Sequence, residues 1–261
     1  MPLAPYWLFQ RGHGPVVAAA IHDGHDIRPE LEARLALSEE DREREEDPCT
    51  GELAQVAKTQ IVALRSRFEV DLNRPREKAV YRAPEDAWGL SLWRKPPDRE
   101  MIEQSLKEYD EFYSAVYKVL SDLVEEFGRI AVYDLHTYNF RRDGADAVPA
   151  DERFNPEVNI GTGTMDRAYW APVVERFIAE LHEQPVRGHK LDVRENVRFQ
   201  GGHFGKWIHE TFPRKVCAIA IEFRKSFMDE WTGDVDSQDV ESLYNALNAT
   251  IPGVTEELEK L

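Results

Sequence analysis

Five short apolar runs, each closed by polar or turn-forming residues and separated by longer amphipathic stretches, constrain this chain more than any other feature of its sequence. Runs of that length, rich in Val, Ile and Ala, read as strands buried on both faces; the 3.6-period segments between them read as helices that cover a sheet. The expected strands are 16–21 (VVAAAI), 68–72 (FEVDL), 130–135 (IAVYDL), 158–161 (VNIG) and 216–223 (VCAIAIEF). The clearest helix runs over 98–127. It opens after KPPD, repeats Ile102, Leu106, Tyr109, Tyr113, Tyr117 and Leu120 on one face, and closes at Gly128. Helices are also expected over 165–181 and 237–247, and the charge-rich segment 37–46 reads as a solvated helix face. This alternation predicts an α/β fold, a sheet covered by helices. With 261 residues, 42% of them hydrophobic, and no repeat or low-complexity linker, a single domain over 1–261 is expected.

Charge and cysteine usage narrow the functional classes. A formal net charge of −16 argues against nucleic-acid binding, which needs clustered Lys and Arg to neutralise phosphates, yet it does not fix the sign of the potential inside one cleft. Cys49 and Cys217 lie far apart without metal-ligand spacing, so a reducing compartment is expected. The start MPLAPYWLFQRGHG has no basic, apolar leader, and no run approaches the length of a membrane span, so the expected location is cytoplasmic, with no membrane partner. Oligomeric state is not legible.

Polar residues gather where the expected strands end, the place where open α/β sheets bind ligands. His22, Asp23 and His25 follow VVAAAI. Asp71, Asn73 and Arg74 stand in VDLNRP, Asp134 and His136 in IAVYDLHTYN, and Glu222 and Arg224 in VCAIAIEFRKSFMDE. Two histidines at separate strand ends with carboxylates nearby suggest a catalytic zinc site, which takes three protein ligands and keeps one position open. Glu222, in a strand of small and apolar residues, either pairs with an arginine such as Arg224 or serves as a base near the metal. Alternation puts Glu222 and Arg224 on one face, where both can line a cleft. Arg74 offers a planar fork for a carboxylate, with donors added by the Asn73 amide; the plainer reading is a surface turn closed by Asn73 and Pro75. Arg65 and Arg67 would reinforce a positive local field for an anionic substrate.

In order along the chain, IHDG, SRFEVDLNRP, YDLHTYN, VNIGTG, VRENVRFQGGHFGKW and AIAIEFRKSFMDE resemble the N-formylglutamate amidohydrolase family, from about residue 16 to residue 231. That family is related in architecture to zinc carboxypeptidases and aspartoacylase-like deacylases. The resemblance implies a mixed sheet sandwiched by helices, of the zinc-exopeptidase or phosphorylase/hydrolase-like type. It implies one zinc per chain and hydrolysis of the amide bond of a small anionic N-formyl or N-acyl amino acid. His22 and His136 match the family's metal histidines, Asn73 and Arg74 its carboxylate clamp, and Glu222 the general acid/base of the related carboxypeptidases. The family more often has PHSG where this chain has IHDG. For the remaining ligand, carboxypeptidase-like spacing points to His25, whereas REEDPCTGELA aligns with an acidic family segment and points to Asp47 or Glu46. Two histidines with one carboxylate make a familiar hydrolytic zinc set, which favours the acid. Gly201, Gly202 and His203 form either a loop bordering the cleft or a plain turn. Alternatives are a carboxypeptidase-like enzyme acting on a small peptide, and a metal-binding regulatory protein without turnover.

Overall fold

Val16, Ala18 and Ala20 pack on one face of the central sheet and Val17 and Ala19 on the other, the two-residue period of a strand covered on both sides. The structure, a computed structural model, describes residues 5–261; the MPLA that opens the N-terminal stretch lies outside them. In chain order the elements are β1 (Trp7–Gln10), β2 (Val16–Ala20), α1 (Pro29–Glu32), α2 (Glu39–Glu45), α3 (Thr50–Leu53), β3 (Thr59–Ala63), α4 (Arg99–Phe127), β4 (Ile130–Tyr138) and β5 (Val158–Gly161). There follow α5 (Ala171–His182), β6 (Pro185–Val186), β7 (His189–Lys190), β8 (Val193–Glu195), α6 (His203–Thr211), β9 (Val216–Arg224) and α7 (Ser237–Lys260).

Seven strands form one mixed sheet in the order β1-β3-β2-β4-β9-β5-β8. The central pairs β3·β2, β2·β4 and β4·β9 are parallel; β1 lies antiparallel on β3, and β5 antiparallel on β9. One face packs Tyr133, Leu135, Ile219 and Ile221 against α5 and α7, through Val174, Phe177, Leu247 and Val254. The opposite face packs Ile130, Val132, Val216 and Ala218 against α4 and α6, through Phe112, Val116, Leu120, Phe204 and Ile208. The architecture is therefore the expected α/β sandwich of a mixed sheet between helices.

Local signals explain the elements. The Asp98 side chain accepts from the Met101 N–H at the start of α4, and Gly128, with φ +76°, ends it in a conformation that suits glycine. Several expectations need correction. Residues 68–72 form no strand: Phe68, Val70 and Leu72 are buried, but the backbone turns through bonds such as Val70 N–H to Ser66 O and Asp71 N–H to Ala79 O. The strand in this region is β3, TQIVA, whose polar first half hides it. The helix expected over 165–181 begins only at Ala171, because 162–170 is held in turns by bonds such as Met165 N–H to Thr162 O and Tyr169 N–H to Asp166 Oδ1. In the other direction, α7 continues past 247 through Pro252, since Val254 and Leu258 remain buried in the core on its far side. No helix among the described residues is long and apolar enough to cross a membrane.

Candidate metal centre and cleft

The face of β4 and β9 that is apolar under α4 and α6 turns polar further along. By alternation Asp134 and His136 continue the Ile130, Val132 row, and Glu222 continues the Val216, Ala218 row. His136 and Glu222 are register partners across the two strands. His22 follows β2 in a turn, and Asp47 follows α2, tied by its N–H to the His22 carbonyl at 3.0 Å.

Three side chains able to hold a metal ion converge there. His22 Nδ1 lies 3.3 Å and His136 Nδ1 2.9 Å from Asp47 Oδ2, and all three residues are buried. Each ring has its other nitrogen on a second carboxylate: His22 Nε2 is 2.7 Å from Asp71 Oδ1, and His136 Nε2 is 3.0 Å from Asp134 Oδ1. Those carboxylates favour the Nε2–H tautomer, which aims the Nδ1 lone pairs at the Asp47 oxygen. His22 Nδ1 is buried and has no hydrogen-bond partner. Converging lone pairs with carboxylates behind the imidazoles are the donor set and outer support of a divalent cation, so the residues present fit one.

Electrostatics are strong here. Burial would push the Asp47 carboxyl up, but the adjacent His136 and His22 rings hold it far below its usual range. For Asp71, burial is likewise outweighed by Arg67 and His22, and its pKa lies well below normal. Burial opposes charging of His136, yet Asp134 and Glu222 hold its pKa well above the ordinary value. Burial, opposed in part by His136, raises Glu222 to about 7, where a carboxyl both accepts and releases protons near neutrality.

A cleft of about 890 Å³ opens over this corner, and Arg67, Arg74, Arg142, Arg198, Lys206 and Lys225 bring six cations to its lining. Arg67 Nη2 is 3.2 Å from Asp71 Oδ2 and its guanidinium lies over Trp88. Arg74 touches Asp71 only at 3.6 Å, through Nε. Its carbonyl accepts from the Tyr109 hydroxyl, while the Leu72 carbonyl accepts from Tyr113, so α4 holds the loop of residues 72–74 from behind. Asn73 Oδ1 accepts from Phe204 N–H at 2.9 Å, and Gly202 leaves no room for a Cβ against that amide. Gly201, Gly202 and His203 border the cleft as a loop opening α6.

Three expected site residues lie elsewhere. Glu46 is adjacent to Asp47, but its extended backbone turns it to the opposite side, where it binds His25 and Ser66. His25 is spent on Glu46 and Arg42, although Glu39 and Glu43 also lie near it. Arg224 leaves the cleft at the end of β9: Nη1 donates to the Asn155 carbonyl at 3.1 Å, with Glu152 and Glu157 at 3.5 and 3.9 Å. It makes no pair with Glu222 among the described residues. Sequence reasoning gave no role to Asp71 and Asp134 behind the imidazoles, to Tyr81 on Asp71, or to Lys225. The last is fully buried, donates to the Arg44 and Glu46 carbonyls, and is pushed down by burial to about 8. A lysine ending a strand core was its one signal.

The family model described as N-formylglutamate amidohydrolase matches residues 14–228, a span that takes in His22, Asp47, Asn73, Arg74, His136 and Glu222. The chain belongs to the N-formylglutamate amidohydrolase family. The fold agrees with solved structures at low identity. An N-formylglutamate amidohydrolase from Ralstonia eutropha JMP134 is 14% identical, with a TM-score of 0.74 over 97% of this chain and 98% of that one. A gene product from Agrobacterium tumefaciens is 15% identical, with a TM-score of 0.67 over 94% of this chain and 92% of that one. No curated protein matches the sequence. As a family member the chain is placed among amidohydrolases, enzymes that hydrolyse an amide bond.

Proposed function

We propose that this chain is a zinc-dependent hydrolase, one domain over its whole length, that cleaves the amide bond of an N-formyl or N-acyl amino acid resembling N-formylglutamate. The observation that carries this reading is the convergence of His22 Nδ1, His136 Nδ1 and Asp47 beside Glu222 in a cleft lined by arginines. His22, Asp47 and His136 would hold the metal. A zinc ion bound there supplies Lewis-acid polarisation of the scissile carbonyl and acidifies the attacking water.

The protein's own groups account for the rest. Glu222 takes the proton of the attacking water and returns it to the leaving nitrogen. Water adds to the carbonyl carbon, the C–N bond breaks, and the products are a carboxylic acid, formate in the simplest case, and a free amino acid. Arg67, beside Asp47 and Asp71, faces the negative charge that develops on the carbonyl oxygen. Arg74 and the Nδ2 of Asn73 hold the substrate carboxylate. A substrate of this kind is small and anionic, and the free cysteines Cys49 and Cys217 suit a reducing, cytoplasmic setting.

Metal content measured alongside formate release tests the reading. About one zinc per chain in the wild type, lost in folded His22→Ala and His136→Ala together with hydrolysis of N-formylglutamate, is the expected result. A zinc-loaded wild type that leaves a panel of N-acyl amino acids intact would overturn the reaction, and a chain that takes up no zinc would overturn the site.

A further inference from the structure

The VNIGTG segment is followed by a residue that the chemistry above leaves unused. Thr164 lies in the turn after β5 and lines the cleft. Its Oγ1 is 3.1 Å from His209 Nδ1 on α6, and His209 Nε2 is 3.0 Å from the backbone N of Ala218 in β9.

Proton bookkeeping fixes every direction in this chain. A backbone N–H only donates, so His209 Nε2 is the acceptor and carries no proton. The neutral ring then bears its hydrogen on Nδ1 and donates it to Thr164 Oγ1. Burial, which pushes the His209 pKa down to about 4, keeps the ring in this neutral form near neutral pH. Thr164 thus receives a hydrogen bond and has one O–H left to give. Among the described residues His209 is the one hydrogen-bond partner of the hydroxyl, and Thr164, part-buried beside α6, belongs to the lining of the cleft.

The position of this donor relative to the clamp is also set. Loop 200–203 separates the two. A Cβ on Gly201 would stand 3.5 Å from Thr164 Oγ1, whereas one on the next residue, Gly202, would collide with the Asn73 amide. Gly163 N–H donates to the Gln200 carbonyl at 2.7 Å and draws the Thr164 turn tight against the same loop. With Arg74 and Asn73 assigned to one carboxylate, the Thr164 hydroxyl is left over for a second oxygen of a molecule in the same cleft.

We propose that Thr164, oriented by His209, is a specificity-determining residue that donates a hydrogen bond to an oxygen of the substrate's amino-acid side chain. The proposal rests on the hydrolase reading for the identity of the substrate. It selects N-acyl amino acids whose side chain ends in a carbonyl or carboxylate over apolar ones of equal length. A site built to hydrogen-bond a group discriminates strongly against the analogue lacking it, and one neutral hydroxyl accounts for about 10- to 100-fold.

The test compares wild type, Thr164→Val and Thr164→Ser, all zinc-loaded, on N-formylglutamate and N-formylnorvaline. Thr164→Val keeps the shape and removes the hydroxyl. The expected result is a roughly 10- to 100-fold loss in kcat/KM for N-formylglutamate, carried by KM, with Thr164→Ser within about threefold of wild type and N-formylnorvaline changed by less than about twofold. Equal losses on both substrates would reduce Thr164 to a structural role and overturn the proposal, as would no loss on N-formylglutamate. A wild type that hydrolyses neither compound would mark failure of the hydrolase reading alone. Calorimetric titration of the same proteins with the same two compounds then decides Thr164 independently: a loss of affinity confined to N-formylglutamate supports it, and none refutes it.

Discussion

Asp71 ties the parts of the cleft together. One oxygen sits against His22 Nε2 and accepts the Asn73 N–H, and the other accepts from Arg67 and the Tyr81 hydroxyl. An Asp71→Asn substitution puts an amide donor where an acceptor is needed. It is expected to weaken metal binding by about 10- to 100-fold and to raise KM with it, measurable by competition with a chelator and by steady-state kinetics. Glu222→Gln keeps shape and removes the base, so kcat is expected to fall by about 10²- to 10⁴-fold with metal content unchanged; retained turnover would dismiss Glu222 from the role. Arg74→Ala is expected to act mainly on KM, by roughly 10-fold or more, since the clamp serves ground and transition states alike. His209 makes stability depend on pH. Unfolded, its ring titrates near 6.5, and folded near 4, so between these values the unfolded state binds more protons. Stability present above pH 6.5 is therefore lost as pH falls toward 4, by at most on the order of 3 kcal/mol. His209→Gln still accepts from Ala218 and donates to Thr164 but does not titrate. Its urea midpoint should fall less between pH 7 and pH 5, and parallel losses would acquit His209.

At the scale of elements, α4 does two jobs. Its apolar face covers the sheet through Phe112, Val116 and Leu120, and its tyrosines 109 and 113 hold the carbonyls of Arg74 and Leu72. Tyr113→Phe leaves a buried carbonyl without its donor, an expected cost of about 1–3 kcal/mol by urea unfolding, with KM raised because the clamp loop loosens. This double use is why the loop misleads a reader of sequence. Phe68, Val70 and Leu72 alternate like a strand because their side chains are buried, but burial came from packing a turn rather than joining the sheet. β4, β5 and β9 were legible because nearly continuous apolar runs have few other places to go. His22, His136 and Glu222 were legible because polar residues ending such runs are costly unless used. Choosing Asp47 over Glu46 needed coordinates, since neighbouring residues on extended backbone face opposite ways. The fate of Arg224 depended on what lies beside the last residue of β9, a matter of the loop carrying Asn155 and Glu157.

For the whole molecule, the acidic exterior and the cations of the cleft, which share its lining with as many carboxylates, act in opposite senses on an anion. A net charge of −16 repels an anion at long range, while Arg67, Arg74, Arg142, Arg198, Lys206 and Lys225 attract it once it enters. Salt screens both, and the screening length shortens from about 10 Å at 0.1 M to about 3 Å at 1 M. The three converging ligands come from widely separated stretches, one after β2, one after α2 and one within β4. No short piece of the chain contains such a site, so a metal that binds it binds the native state far more tightly than the unfolded one. Any ion held there is in effect a staple across the sheet. By mass action, free metal at a thousand times its dissociation constant adds about 4 kcal/mol to the free energy of unfolding. A chelator should then lower the melting temperature before it is ever seen to slow a reaction, and the melting curve becomes a gauge of free metal relative to its dissociation constant.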